Sequence, residues 1–346
     1  MLKFLLRRFF TMVLTALCLT FIVFFLTNLP PNLEKLAKSE AGSRISDEEV
    51  QSWLNKNGHG SPLLVRYGEW LGVMPGWTRE ENGVTTGRCI ARGQDPATAP
   101  KFCGVLEGYW GFSSVFKDDV GTIIGTRLGL TGILMFWVMM LMVPVALITG
   151  VLAGMREGTK LDRTLSTFSI ASTATPEYVS GVILIAVFAT SMGWKVFKGT
   201  ATSAMDSITF ENFFLPVLTI ALYGIGYIAR MTRASMTEVM TAQYIRTARL
   251  KGVSFANVVI KHALRNALIA PFTVIMLQFP WLLNGVVIVE TLFNYKGFGW
   301  TLVQAAGNND IQLLLGCSVV AVVVVLTTQL ISDVGYVFLN PRIRIS

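Results

Sequence analysis

Long apolar runs alternate with polar segments along most of the chain. A helix that crosses a membrane takes about 20 mostly apolar residues. Runs of roughly that length lie at residues 9–29, 129–153, 164–192, 213–229, 268–292 and 311–338. The pattern therefore predicts an all-α integral membrane protein with six transmembrane helices and a long polar segment, residues 30–128, after the first of them.

The polar segment at residues 230–266 has a helical pattern of its own. Apolar positions recur there at three- and four-residue steps, at Met236, Val239, Met240, Tyr244, Thr247 and Leu250. Gly252 then fits a left-handed residue that ends this helix, and Ser254 fits the cap of a second helix. The apolar face of that second helix would be Phe255, Val258, Val259 and Leu264.

Two interpretations of this segment compete. Positive charge accumulates on the cytoplasmic side of membrane proteins, so the segment can be a basic connector between two helices. Two amphipathic helices joined by a tight turn also need a surface to cover their apolar faces. That second interpretation predicts a docking element for a partner protein.

Acidic residues inside the apolar runs are candidates for a transport pathway, because a carboxylate in hydrocarbon is costly. Glu177 follows Pro176 in the third run, where the proline predicts a bend. A pathway-facing role and a local capping role remain equally open for Glu177. For Glu290 in the fifth run, capping of the next segment is favoured, because Thr291 and the glycines that follow it indicate a chain reversal.

Composition and charge support the membrane class and its orientation. The chain is 52% hydrophobic and only 14% charged, against about 25% charged residues in an average soluble protein. Lys and Arg outnumber acids at residues 1–8, 154–163, 230–266 and 340–346. Both termini are therefore predicted to be cytoplasmic, with residues 30–128 outside. Membrane topology explains the net charge of +8, so no nucleic-acid partner is implied.

The segment 30–128 contains two local signals. Ser46 and Glu49 form a capping box that predicts a short helix at residues 46–55. Its tryptophans favour the membrane interface, with a partner surface as the alternative; they are Trp53, Trp70, Trp77 and Trp110.

The cysteines divide between the apolar runs and the outer segment. Cys89 and Cys103 both lie in the outer segment, where an oxidising compartment would pair them. The alternative is two free thiols. Cys18 and Cys317 lie in apolar runs and are expected to be small buried hydrophobic residues.

The sequence carries no motif for catalysis by this chain. It has no Gly-x-x-x-x-Gly-Lys-Ser/Thr motif, so no ATP-binding P-loop is expected. Its two histidines, His59 and His262, fall on opposite sides of the membrane in the predicted topology, which argues against a two-histidine metal site. We therefore expect no enzyme activity, no metal and no cofactor. A secondary transporter is the alternative transport class, but no clear inverted repeat is present.

Several stretches resemble one family of transporters. RMTRASMTEVM, YIRTARLKG and HALRNAL within residues 230–266 resemble the cytoplasmic loop of bacterial ABC-importer permeases, in particular the dipeptide and oligopeptide class. ETLFNYKGFGW resembles that family's Glu-Thr-x-Phe-x-x-Pro-Gly-x-Gly element, with Lys296 in place of the usual proline. The C-terminal DVGYVFLNPRIR resembles its closing element, with Asn340 in place of an aspartate.

This resemblance implies a type I ABC-importer permease in the bacterial inner membrane. Residues 1–29 would hold the first helix, 30–128 a periplasmic subdomain, 129–339 a five-helix core and 340–346 a cytoplasmic tail. The implied partners are two cytosolic ATPase subunits that bind ATP and Mg, a periplasmic binding protein and a second homologous permease. The implied ATPase-coupling residues are Tyr244, Arg246, Thr247, Ala248, Arg249, Lys251, Gly252, Val253 and Phe255. Peptides are the favoured substrate, with a sugar, a glutathione-like compound or nickel as alternatives.

Overall fold

The computed structural model describes residues 2–42, 44–81, 84–90, 94–190 and 194–339, so the predicted tail 340–346 lies outside the described residues. Helices dominate this part of the chain, as predicted. They are α1 Leu2–Thr27, α2 Pro30–Ala41, α3 Asp47–Lys56, α4 Leu63–Leu71, α5 Val120–Gly154, α6 Lys160–Ala174, α7 Glu177–Phe188, α8 Phe210–Met240, α9 Gln243–Leu250, α10 Phe255–Asn257, α11 Leu264–Ala267, α12 Ile269–Leu292, α13 Phe298–Gly307 and α14 Ile311–Leu339. A short antiparallel hairpin pairs β1 Thr78–Glu81 with β2 Val84–Gly87.

The described helices include both straight and bent candidates for membrane spans. Four are long and apolar enough to cross a membrane, and they are Leu6–Thr27, Val120–Gly154, Phe210–Met240 and Ile311–Gly335. Two bent pairs also pass when each pair is taken together: α6 with α7, and Phe255–Ala267 with Ile269–Gln278. The number of spans among the described residues is therefore four to six, and six requires each bent pair to form one span.

The third predicted span is two helices rather than one. α6 and α7 meet at an angle of 109°. Thr175 is extended, with ψ of 123°, and Pro176 then takes the N-cap position of α7. A residue before proline is driven out of the helical region, and proline itself lacks the N–H that would continue the helix. The sequence signalled the break at Pro176 but not the size of the turn.

One compact unit is built around Leu128–Trp300, and α8 is its centre. Helices α6, α7 and α12 all pack against α8. The fourth apolar run predicted as a span, residues 213–229, is only the middle of this helix, so the predicted bounds were too short. A capping box of Thr209 and Asn212 begins the helix earlier, Pro216 lies inside it, and the helix continues to Met240.

The glycines that interrupt the fourth apolar run mark close packing. Side chains at Gly224 and Gly226 would collide with Met142 of α5 and Ser172 of α6. Small residues allow membrane helices to approach this closely.

The other compact unit joins Leu5–Arg127 to Thr301–Val324. Its core brings α1–α4 together with the start of α14, through Phe24, Leu33, Ala37, Val50, Leu54, Trp70, Ile311 and Leu315. Pro30 begins α2 at a position where proline costs no hydrogen bond, and the sequence analysis did not predict this helix. Trp70 is only 2% exposed, so the interfacial interpretation is wrong for that residue.

The capping box predicted at Ser46 is present. The Glu49 N–H donates to Ser46 Oγ at 3.3 Å, and the Ser46 N–H donates to Glu49 Oε2 at 2.7 Å. The helix that follows, α3, covers almost the same residues as predicted.

A disulfide joins Cys89 to Cys103. It lies beside Arg88, whose Nε donates to the Cys103 carbonyl at 3.2 Å. Closing a loop of this length is worth roughly 3 kcal/mol in the chain-entropy account. The disulfide therefore holds the end of the hairpin, and Arg88 with it, against the segment at Cys103.

Thiol labelling tests the disulfide in intact cells. A membrane-impermeant maleimide is expected to label neither Cys89 nor Cys103 without reductant, and to label both after reduction. Cys103→Ser should release the half-buried Cys89 as one thiol that reacts without reductant, and Cys18→Ser controls for the exposed cysteine of α1. Ready labelling of the unreduced parent protein would contradict the pairing.

Candidate coupling module

The segment 230–266, here called the module, begins inside α8 and folds back at a tight turn. α8 ends at Met240, Ala242 is extended with ψ of 147°, and α9 then begins at Gln243. Ile245 and Ala248 of α9 are both buried and share a cluster with Met236 of α8. The module is therefore packed on the C-terminal part of α8 and is not a loose connector.

The apolar stripe predicted for this region was wrong after Met240. Met236 is fully buried, and Val239 and Met240 pack against the same cluster. Beyond the break at Thr241 and Ala242, however, Tyr244 is 42% exposed and Leu250 is 82% exposed. The break restarts the helical period, so Ile245 and Ala248 face inward in place of Tyr244 and Leu250.

Gly252 ends α9 in the left-handed conformation expected of it, with φ of +78°. The Gly252 N–H donates to the Arg249 carbonyl at 3.0 Å, and the Val253 N–H donates to the Ala248 carbonyl at 3.2 Å. This pair of bonds is a Schellman motif, in which a residue without a side chain adopts positive φ and satisfies the last carbonyls of the helix. Val253 completes the motif by packing on the buried cluster.

The returning chain forms α10, a π-helical turn at Val258–Ala263, and α11. Ser254 occupies the N-cap position, but its side chain accepts no capping hydrogen bond, so that part of the prediction was wrong. Val258 and Val259 are buried as predicted, whereas Phe255 is 48% exposed. Ser235 Oγ donates to the Ala267 carbonyl at 2.8 Å, which ties the end of the return to α8.

The predicted coupling residues fall into an anchored set and an outward set. Ala248 is buried and Val253 is half-buried, so both fix the turn from inside. The outward set is exposed, and it consists of Tyr244, Arg246, Thr247, Arg249, Lys251, Gly252 and Phe255. Together with Leu250, the outward set presents cations and apolar groups on one projecting turn.

An ion pair links the part of the module that lies in α8 to α6, and the sequence analysis missed it. Arg233 donates to Asp162 through Nε at 2.5 Å and Nη2 at 2.8 Å. Asp162 also accepts from the Gly158 N–H at 2.9 Å and from Ser166 Oγ at 3.1 Å. The Thr159 hydroxyl caps the same helix start, and a threonine three residues before an aspartate was the signal available in the sequence.

The first pathway candidates lie at the bend between α6 and α7. Glu177 is the first residue of α7 and is half-buried. A side-chain carbon on Gly285 of α12 would lie 2.6 Å from Glu177 Oε2, so the glycine leaves room for this carboxylate. Pro176 is exposed and sets the bend.

Glu290 forms part of a buried cap. It accepts a hydrogen bond from the Trp300 N–H at 2.9 Å and another from the Thr131 hydroxyl. Thr131 Oγ1 in turn accepts from the Phe298 N–H at 2.8 Å. Glu290 and Thr131 therefore satisfy the first N–H groups of α13, which is the arrangement that the chain reversal after Thr291 indicated.

The module does not contain a cluster of metal-binding side chains among its described residues. Among the described residues, no group of three or more His, Cys, Asp or Glu is placed to hold a metal ion. The arrangement offers contact surface and mechanical linkage to membrane helices. That combination is typical of the membrane subunit of a multi-protein transporter, in which one subunit moves another.

Comparison with known proteins identifies the family. The binding-protein-dependent transport system inner membrane component family matches residues 146–345, and the family's N-terminal region matches residues 1–97. The chain belongs to this family. It is therefore an inner-membrane permease subunit of an ABC importer, a transport component that works with a periplasmic binding protein and ATPase partners.

Named relatives cover most of the chain. It is 36% identical to the probable peptide ABC transporter permease protein y4tP of Sinorhizobium fredii, over 69% of this chain and 77% of that protein. It is 30% identical to the oligopeptide transport system permease protein AppB of Bacillus subtilis, over 87% of each. It is 33% identical to the glutathione transport system permease protein GsiC of Escherichia coli, over 69% of this chain and 76% of that protein.

Proposed function

We propose that this permease imports short peptides and that the module transmits ATP-driven motion to its membrane helices. The names of the similar permeases favour peptides, and the glutathione relative fits the same class because glutathione is itself a peptide. A sugar or nickel pathway has no observation in its favour here.

The coupling proposal rests on the packing of α9 against α8. Its inner residues Ile245 and Ala248 are packed on α8, while Leu250 and the cations beside it project outward. A force applied to the outward set by a moving ATPase would therefore reach α8. Because α6, α7 and α12 pack on α8, the force would continue into the core of the unit.

The remaining parts of the complex follow from this proposal. A second permease, homologous to this one, would complete the pathway. Two ATPase subunits would bind ATP and Mg, so this chain would hold no cofactor. Residues 30–128 would form the periplasmic subdomain, 129–339 the core, and both termini would be cytoplasmic. Glu177, at the bend beside Pro176, would face the pathway, and Glu290 would support the core as a helix cap.

Reporter fusions test this orientation. A reporter fused after Lys101 is expected to behave as periplasmic, and one fused after Lys251 as cytoplasmic, because the positive charge of the module holds it inside. A fusion after Lys160, the first residue of α6, should match the Lys251 fusion. The reverse behaviour at either of the first two positions would refute the proposed topology.

Co-purification with reconstituted uptake tests the function itself. Affinity-tagged permease, expressed with its candidate partner genes, should retain ATPase subunits and a second permease after solubilisation. Vesicles containing that complex and the binding protein should take up labelled dipeptide only with ATP inside the compartment that represents the cytoplasm. Uptake by this chain alone, driven by an ion gradient, would instead establish a secondary transporter.

A further inference from the structure

The unit formed by Leu5–Arg127 and Thr301–Val324 contains two neighbouring cavities. One has a volume of about 180 Å³ and the other about 70 Å³. Both are lined by Asn57, His59, Ile311 and Gln312, so the two cavities adjoin at these four residues. Neither cavity involves the module or the pathway candidates.

The larger cavity has an acidic lining. Glu40 of α2 and Asp310, just before α14, both line it. The Asp310 carboxylate already accepts three hydrogen bonds within the chain. They come from Ser113 Oγ at 2.6 Å and from the Val115 and Leu313 N–H groups, each at 3.2 Å. Lys117 is the charged group of opposite sign near Glu40. Two carboxylates against one lysine leave this end with an excess of negative charge.

The smaller cavity has the opposite charge. Arg66 and Arg88 both line it, with Glu69 as the acid between them. Burial, together with the charges of these two arginines, lowers the pKa of His59 to about 4, so the imidazole is neutral at ordinary pH. Two guanidinium groups against one carboxylate leave this end with an excess of positive charge.

Two polar atoms on these walls lack partners among the described residues. Arg66 Nε and Gln312 Oε1 are both buried without a hydrogen bond, although Arg66 Nη1 donates to Asn28 Oδ1 at 2.9 Å. Leaving a buried polar group unpaired is unfavourable, so a ligand that pairs with it is favoured. Arg66 Nε is a donor in the positive cavity and is complementary to a carboxylate. Gln312 Oε1 is an acceptor on the wall that both cavities share and is complementary to a peptide N–H.

Aromatic walls and size restrict the ligand further. The Trp53 ring stacks on His59 with centroids 6.1 Å apart, and Trp77 lines the positive cavity. The larger volume of about 180 Å³ exceeds the space of a few water molecules, each of which occupies about 30 Å³ in the liquid. It is suited to a small organic group such as one amino-acid residue.

We propose that these cavities form one binding site for the zwitterionic form of a short peptide, with its amino terminus at Glu40 and its carboxylate at Arg66 and Arg88. The choice of a peptide rests on the proposed function, whereas the requirement for an ammonium and an anion rests on the cavities alone. The disulfide next to Arg88 holds the positive end in place. The site would receive or retain substrate outside the membrane core, on the same unit as the residues predicted to be periplasmic.

Binding to the full-length permease in nanodiscs of phosphatidylglycerol tests the proposal. Dialanine is expected to bind, as measured by calorimetry. N-acetyl-dialanine and dialanine amide, which each lack one charge, should bind more than about tenfold more weakly, since a hydrogen bond to a charged group is worth about 1.5–3 kcal/mol. Equal binding of all three compounds would overturn the proposal. Binding of none of them would also overturn it and would leave water as the occupant of the cavities.

Matched variants locate the site. Glu40→Gln should weaken dialanine binding more than about tenfold and leave the already weak N-acetyl compound unchanged. Glu34→Gln, on the same helix and paired with Lys38 at the surface, should change neither. Arg66→Lys keeps the charge, removes the unpaired Nε donor and should reduce discrimination against the amide, with thermal unfolding used to show that it is folded. Equal effects of Glu40→Gln and Glu34→Gln would place binding elsewhere.

Lipid competition and parallel uptake measurements distinguish a peptide site from a lipid-headgroup site and from a failure of the proposed function. If phosphatidylethanolamine added to the nanodiscs abolished dialanine binding in competition, the site would belong to a lipid headgroup and the peptide proposal would fail. Uptake by the assembled importer is measured in parallel. Dipeptide uptake without dialanine binding to the isolated permease would overturn the binding site and leave the proposed function standing. Dialanine binding without uptake of any peptide would support the binding site and overturn the proposed function.

Discussion

Gly252→Val is expected to abolish substrate-stimulated ATP hydrolysis and transport by the assembled importer while the permease stays folded and inserted. Gly252 has φ of +78°, and no other described residue, apart from its two chain neighbours, lies within 4 Å of the position that a side-chain carbon would take. Within this chain the substitution therefore costs mainly backbone strain, roughly 1–2 kcal/mol. Valine would also project from the exposed turn into any partner seated on it. The measurement is ATPase activity in vesicles with binding protein and peptide.

The chain offers a matched control for that experiment. Gly158, in the turn before α6, has the same φ of +78°, and a side-chain carbon there would likewise meet no described residue within 4 Å beyond its two chain neighbours. Gly158→Val should impose the same strain and retain most of the coupled activity. Arg249→Glu should produce an intermediate effect, because a single exposed charge contact is worth about 1 kcal/mol or less. Normal transport by Gly252→Val would mean that the module is a connector.

Arg233→Ala is expected to lower the free energy of unfolding by about 1–3 kcal/mol, the cost of leaving one buried polar partner of a hydrogen-bonded pair unpaired. The Asp162 side chain is only 4% exposed and would be left as an uncompensated charge. Because the pair joins α6 to the part of the module that lies in α8, coupled transport should fall as well. Thermal or denaturant unfolding of the detergent-solubilised permease gives the stability change.

A double-mutant cycle separates the ion pair from side-chain loss. Asp162→Asn combined with Arg233→Ala should be less destabilising than the sum of the single changes, because no charge remains unpaired. Arg246→Ala, at an exposed position of α9, should shift stability by no more than about 0.5 kcal/mol. Strict additivity of the Asp162 and Arg233 changes would show that the contact contributes nothing.

Local signals in the sequence translated well into structure. The Ser46 capping box and the left-handed Gly252 were both predictable, because each depends on hydrogen bonds within a few residues of the same chain segment. The helical class followed from the apolar runs for a similar reason. A run of apolar residues in lipid must satisfy its backbone within itself.

Features that depend on packing between distant segments were not predictable. Helix α8 continues to Met240 and so includes polar residues. The apolar run in the sequence predicted that this helix would end at residue 229. Asp162 and Arg233 are 71 residues apart, and no pattern in the sequence pairs them. The inward turn of Ile245 and Ala248 depends on the break before Gln243, which no proline or glycine announces.

Photocrosslinking from the module tests the central claim most directly. A benzoylphenylalanine placed at Leu250, the outermost apolar residue of α9, is expected to crosslink the permease to an ATPase subunit in the assembled importer, with a yield that changes when ATP is bound. The same group at Leu106, exposed in the predicted periplasmic segment, should give no ATPase product. No ATPase crosslink from position 250, in a complex that transports peptide, would contradict the account.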